Sequence, residues 1–251
     1  MITFGLIGYP LTHSKSAEYF LQEFHTLYPA IIAEYKLFPM KNIENIRSWI
    51  SKQNNLLGFN VTSPFKIQII PFLDQMDTSA IETGSVNTVK IFRTNNKIYL
   101  KGYNTDVTGF KHLLAMNQHF SIKKALIIGT GGASKSVSHV LSSKNIEHLF
   151  VSRNPKNINT IYYSQVDKDI ISTHNLIINT TPLGQFPNVT EYPPLPFGFF
   201  TCNTIIIDLI YNPEKTLLLQ KAKKQRAKIS NGLFMLHQQA KTAWNIWLEN
   251  C

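Results

Sequence analysis

The run Ala125-Leu126-Ile127-Ile128, followed at once by Gly129-Thr130-Gly131-Gly132, restricts the folds open to this chain more than any other segment. Four consecutive apolar residues ending at a glycine read as a short strand buried on both faces, as in a parallel sheet. Beyond the glycines, Ala133, Val137, Val140 and Leu141 recur at helical spacing until Asn145 closes the helix. Leu149-Phe150-Val151 then returns as a strand, completing a βαβ unit. Leu176-Ile177-Ile178 and Ile205-Ile206-Ile207 supply further strands, and the Pro- and Phe-rich stretch from Phe186 to Phe200 reads as loop.

The first hundred residues follow a related pattern. Phe4 to Ile7 reads as a strand, and Ser16 to His25 as a helix with Ala17, Phe20, Leu21 and Phe24 on one face. Leu56 to Val61 is a second strand, and Ile98 to Leu100 lies in a later hairpin. Strands alternating with helices indicate an α/β sheet with crossover helices. A new unit begins near Asp106 with a helix from about Val107 to Met116. The last twenty residues form a helix whose apolar face holds Leu233, Leu236, Ala240, Ala243, Trp244 and Trp247.

Composition excludes several classes of protein. A chain of 251 residues buries one large core or two modest ones. With 43% hydrophobic and 16% charged residues it is globular rather than disordered. No stretch approaches the roughly 20 apolar residues that span a bilayer, and Met1 to Pro10 lacks the pattern of a secretory signal. The two cysteines, Cys202 and Cys251, form neither a disulfide scaffold nor a metal-ligand spacing. The cytoplasm is the expected location, and no metal is expected. The net charge of +10 invites a nucleic-acid reading. Most of the basic residues are dispersed, however, and the dense run Lys221 to Lys228 reads as the wet face and end of a helix. A basic surface equally suits anionic small molecules.

The glycine turn between strand and helix can cradle a pyrophosphate, because the backbone approaches closely and free N–H groups at the helix start carry partial positive charge. Ser134 holds the third glycine position of the usual pattern, and the turn also has a purely structural reading. At the end of the returning strand stand Ser152-Arg153-Asn154, with Lys156 close by, where an NAD site usually places a carboxylate. A guanidinium there suits the 2′-phosphate of NADP.

In Asn60-Val61-Thr62-Ser63-Pro64-Phe65-Lys66, Ser63 is a natural N-cap and Pro64 suits the first helical position. Lys66 then sits in a first turn, where the helix dipole disfavours a cation and eases proton exchange; alternatively it points into water. Asp106, in Gly102-Tyr103-Asn104-Thr105-Asp106, is either a helix-start residue or a partner for Lys66. Ser14 and Ser16 are caps or substrate ligands, and Asn87 is a turn residue or a ligand.

Taken in order, these segments resemble shikimate dehydrogenase across nearly the whole chain. Gly8 to Ser16 is similar to that family's entry motif, Asn60 to Lys66 to its N-V-T-x-P-x-K motif, and Gly129 to Ala133 to its variant glycine turn. Val86-Asn87-Thr88, Asn104-Thr105-Asp106, Asn179 to Gly184, Asp208 to Pro213 and the helix from Asn231 to Ala240 match further family segments. The resemblance implies a two-domain α/β fold. In it, residues 1–105 form a substrate domain completed by the helix 232–251, and residues 106–231 form a Rossmann-like NADP-binding domain. It implies Lys66 as acid/base with Asp106 as its partner, and Ser14, Ser16, Thr62, Asn87, Tyr211 and Gln239 as substrate ligands. For the cofactor it implies Gly129, Thr130, Gly131, Gly132, Ala133, Ser152, Arg153, Leu209 and Gly232. The implied reaction is NADPH-dependent reduction of 3-dehydroshikimate to shikimate, by a monomer or homodimer with small-molecule partners only. Departures are Ala17 in place of a proline, Ser152-Arg153-Asn154 in place of N-R-T, and short loops after Arg153. The rival readings are a quinate/shikimate dehydrogenase using NAD, and a non-catalytic nucleotide- or nucleic-acid-binding module.

Overall fold

The computed structural model describes residues 1–11, 16–94, 97–117 and 121–249, leaving aside the side chains of Ser16, Glu23 and Leu27. The chain divides into two compact units, Met1–Gly109 with His237–Cys251, and Phe110–Leu236.

The first unit is built on strands β1 (Ile2–Gly8), β2 (Ala33–Pro39), β3 (Leu56–Val61), β4 (Gln75–Met76), β5 (Thr88–Thr94) and β6 (Lys97–Tyr103). They form one sheet in the order β2-β1-β3-β5-β6-β4. Six of the seven residues of β1 are buried, because it lies between parallel neighbours β2 and β3. β5 runs antiparallel to β3 and forms the expected hairpin with β6. Helices α1 (Ser16–Leu27), α2 (Ile46–Ser51), α3 (Phe65–Gln68) and α4 (Thr78–Thr83) lie between the strands, and α5 (Thr105–Met116) follows β6 and runs across the division at Gly109. Strand β2 was not anticipated. Its Glu34 and Lys36 break the apolar run, as an edge strand with only Tyr35 fully buried permits.

The second unit holds β7 (Ala125–Ile128), α6 (Gly132–Ser143), β8 (His148–Ser152), β9 (Thr160–Tyr162), α7 (Lys168–Thr173), β10 (Leu176–Asn179), β11 (Ile205–Asp208), α8 (Leu217–Lys224) and β12 (Lys228–Asn231). The sheet order is β12-β11-β10-β7-β8-β9, with every pairing parallel. The chain steps outward one way from β7 through β8 and the other way from β10. The crevice beyond the carboxyl ends of β7 and β10 is therefore the switch point where doubly wound sheets bind ligands. The basic run divides: Lys221, Lys223 and Lys224 end α8 as expected of a helix C-terminus, but Lys228 begins β12.

Helix α9 (Leu233–Leu248) carries the chain back into the first unit. Its Trp244 and Trp247 are fully buried against Phe4, with ring centroids 4.8 Å from it in both cases. Their indole N–H groups donate to Phe20 O at 3.0 Å and Val89 O at 2.9 Å. A Cβ at Gly58 would lie 2.3 Å from the Trp247 ring, so only glycine lets β3 approach it. Buried Lys90 donates to the carbonyls of Ile246 and Glu249 and caps the helix C-terminus.

Candidate active site and nucleotide cradle

In the first unit the carboxyl end of β3, the start of β5 and the end of β6 meet on one edge of the sheet, as the antiparallel pairings require. Lys66 follows β3, Asn87 precedes β5 and Asp106 opens α5, so residues far apart in sequence converge there. Lys66 Nζ donates to Asp106 Oδ2 at 2.6 Å, and the two side chains are 17% and 3% exposed. The second carboxylate oxygen is held by Asn87 Nδ2 at 2.9 Å. Asn87 Nδ2 also faces Gln239 Oε1 of α9 at 3.1 Å, and Asn87 Oδ1 accepts from the Thr105 N–H at 2.7 Å. Asn87 is therefore a buried hub that orients Asp106 rather than a plain turn residue.

Lys66, Asn87 and Gln239 wall a polar recess of about 60 Å³, together with Thr62, Asn60, Tyr35, Phe20, Leu6 and Val61, while Asp106 holds Lys66 and Asn87 from behind that wall. Tyr35 Oη donates to Asn60 Oδ1 at 2.7 Å, while Asn60 Nδ2 donates to Asn87 O and Thr88 Oγ1. Asn60 and Tyr35 were given no role from sequence. An asparagine next to the end of the otherwise apolar strand β3 was the available signal for the first; Tyr35, on the unanticipated β2, gave none.

The local helix differs from expectation. α3 starts at Phe65, with Pro64 outside it and no side-chain cap from Ser63. The Ser63 carbonyl accepts instead from the Tyr9 N–H, and the Phe65 N–H closes a turn on Thr62 O. Four residues make a single turn, too short for a useful dipole, so the helix-dipole argument for Lys66 fails. Its environment is set by Asp106. Asp106 lies in the first turn of α5, yet its oxygens go to Lys66 and Asn87. Of the remaining expected ligands, Ser14 lies outside the described residues, Ser16 starts α1 with its side chain undescribed, and Tyr211 belongs to the second unit.

In the second unit, Gly129 adopts φ +106° directly after β7, a conformation that L side chains resist. Thr130 and Gly131 complete the turn before α6, whose first residues are Gly132 and Ala133. The start of α6 has no side-chain cap, so its amides are available to an anion. A Cβ at Gly131 would meet no protein atom within 4 Å, so packing within the chain does not require glycine there. A dinucleotide pressed against the turn would. Ser134, at the third glycine position, is buried, and its Oγ donates to Gly131 O at 2.6 Å, fixing the turn by a hydrogen bond. Ser152 ends β8 beside the turn, followed by exposed Arg153, which makes no ion pair among the described residues. Leu209 and Gly232 pack backbone to backbone: a Cβ at Gly232 would lie 2.0 Å from Leu209 O. These residues fit a phosphorylated dinucleotide. Among the described residues no cluster of His, Cys, Asp or Glu could hold a metal, and no helix is long and apolar enough to cross a membrane.

The family model described as the shikimate dehydrogenase substrate binding domain matches residues 6–89. The chain is 35% identical to shikimate dehydrogenase (NADP(+)) of Halothermothrix orenii, the match covering 97% of this chain and 89% of that protein. It is 38% identical to the protein of that name from Methanococcus maripaludis, over 97% and 90% of the two chains. Among solved structures, shikimate dehydrogenase 1 from Peptoclostridium difficile matches with a TM-score of 0.86 and 33% identity, over 99% and 92% of the two chains. The Thermus thermophilus shikimate 5-dehydrogenase in complex with NADP(H) and shikimate matches with a TM-score of 0.83 and 26% identity, over 99% and 94%. With near full-length identity above 30% and the same two-sheet architecture, the chain belongs to the shikimate dehydrogenase family.

Proposed function

We propose that this chain is an NADP-dependent shikimate dehydrogenase that reversibly reduces 3-dehydroshikimate to shikimate. The observation that carries the reading is the Lys66–Asp106 contact at 2.6 Å, whose lysine lines a polar recess shared with Asn87, Gln239 and Thr62. Reducing a ketone to an alcohol needs a hydride at carbon and a proton at oxygen. A nicotinamide held by the second unit would supply the hydride. Lys66 Nζ gives its proton to the developing alkoxide and takes one back in the reverse direction, an acid/base role that contributes about 10²–10⁴ in rate. Asp106 Oδ2 keeps the ammonium aimed, and because Asn87 occupies Oδ1, the carboxylate cannot turn away. A positioned proton donor stabilises the oxyanion, the task a metal performs elsewhere.

Thr62, Asn87 and Gln239 offer hydroxyl and amide groups to the ring hydroxyls, with Tyr211 as a further ligand. Ser14 and Ser16 take the carboxylate. A site built for hydrogen bonds rejects a ligand that leaves them unpaired. The glycine turn with the start of α6 receives the pyrophosphate, while Leu209 and Gly232 border the nucleotide. Ser152 and Arg153 receive the 2′-phosphate. The partners are small molecules, and the enzyme works in the cytoplasm as a monomer or homodimer. Residues 1–105 with 232–251 form the substrate domain, and 106–231 the cofactor domain. Purified protein incubated with shikimate and NADP⁺ should produce reduced nicotinamide, faster than with NAD⁺ and faster than with quinate. Equal or better rates with NAD⁺ and quinate would move the chain to the quinate/shikimate class; salt-sensitive nucleic-acid binding without turnover would make it a binding module.

A further inference from the structure

The last rung of the second sheet aligns Ile128, Asn179, Asp208 and Asn231 across β7, β10, β11 and β12. The glycine turn leaves from the same edge. Three of these four residues are polar, and their side chains hold the loops that follow. Asp208 is the centre of the set and is fully buried. Its Oδ1 accepts from Asn179 Nδ2 at 2.9 Å and from the Ile210 N–H at 3.2 Å, and its Oδ2 accepts from Thr216 Oγ1 at 2.6 Å. Asn179 in turn accepts from both the N–H and the hydroxyl of Thr181. Thr180 donates to Ile128 O, and its hydroxyl is the nearest side-chain atom that a Cβ on Gly129 would meet. On the other side, the Leu209 N–H donates to Asn179 O and the Gly232 N–H to Ile210 O. One carboxylate thus ties the loop after β10 to the loop after β11, and through them the glycine turn to Gly232.

We propose that Asp208 is a positioning residue for the dinucleotide: its carboxylate sets the loops after β10 and β11 in the conformation that receives the cofactor, without touching the reacting atoms. The proposal rests on the reading of the second unit as the NADP site. A buried carboxylate is a costly way to fill a strand end. Three hydrogen-bond donors converging on it, two of them from the loop it precedes, explain its place better than packing does. An alanine there would strand Asn179 Nδ2, the Ile210 N–H and the Thr216 hydroxyl, and free both loops. An asparagine would keep two of the acceptor contacts through its own oxygen and offer its amide to Thr216 Oγ1, which also accepts.

The test measures binding of NADP⁺ and of shikimate, each alone, to the full-length wild type, Asp208→Ala and Asp208→Asn, with steady-state rates beside them. Asp208→Ala should weaken NADP⁺ binding and raise its KM at least about tenfold, with shikimate affinity within about twofold of wild type and kcat at saturating NADP⁺ much less affected. Asp208→Asn should recover most of the lost affinity. If Asp208→Ala does not fold, Thr216→Val removes one donor from the same carboxylate and should raise the NADP⁺ Kd severalfold, again sparing shikimate. Wild-type NADP⁺ affinity in the folded variant, or a parallel loss of both ligands, overturns the proposal. A wild-type protein that binds no NADP⁺ would instead overturn the nucleotide reading beneath it.

Discussion

Asp208 carries a pH signature as well as a structural one. Burial pushes its carboxyl up to about 6 from the ordinary 3.8, against the pull of the hydrogen bonds from Thr216, Ile210 and Asn179. The fold therefore favours the protonated form. The stability this group contributes is complete below the unfolded pKa and is lost as pH rises through about 6. The shift corresponds to about 3 kcal/mol at most, of which about 1 kcal/mol falls between pH values of about 5 and 7. Urea unfolding of wild type and Asp208→Asn across that window should show the variant gaining on the wild type by about 1 kcal/mol as pH rises. A difference independent of pH would mean that the carboxyl is not held up by burial. Sequence told little about such residues. Asp208 was visible only as part of a family segment, and Asn87 read equally as a turn residue, because hydrogen bonds to Asp106 and Gln239 depend on strands far apart in the chain.

Among elements, the strand–turn–helix from β7 into α6 was the most legible, because a short apolar strand and a glycine turn have few other uses. β3 and β7 have the extent expected, and α6 ends at Ser143, just before Asn145 turns left-handed at φ 55°. What escaped were short or edge elements. β2, β4 and β9 lack a sustained apolar run, so their pairing comes from neighbours rather than from their own pattern. α3 was misread for a related reason: Ser63 carries the chemistry of a cap, but its carbonyl is drawn to Tyr9 in a different loop. At the end of β8, exposed Arg153 is the element-level test of cofactor choice. Losing a charge-assisted hydrogen bond costs about 1.5–3 kcal/mol. Arg153→Ser should therefore raise the KM for NADP⁺ about tenfold to a hundredfold and leave that for NAD⁺ nearly unchanged. Equal effects on the two cofactors would mean that Arg153 does not meet the 2′-phosphate.

For the whole molecule, the notable feature is a chain that leaves its first unit near residue 109 and returns to it at 237. The terminal helix supplies both the tryptophans that seal β1 and β3 and the Gln239 that joins the recess, so stability and site depend on the same element. Trp247→Ala should cost about 3–5 kcal/mol, read as a lower urea midpoint. A loss below about 1 kcal/mol would mean that α9 is not part of the first core. The apolar face of that helix was plain in the sequence, but its return to the first unit came only from family resemblance, since periodicity does not say which sheet a helix covers.

In the proposed reaction Lys66 is the group that moves the proton. Comparing Lys66→Ala with wild type, by kcat and by shikimate affinity in the absence of turnover, tests it most directly. A drop in kcat of about 10²–10⁴ with shikimate binding changed by less than about tenfold is the expected result. Wild-type turnover in the folded variant, or a loss confined to binding, would contradict it.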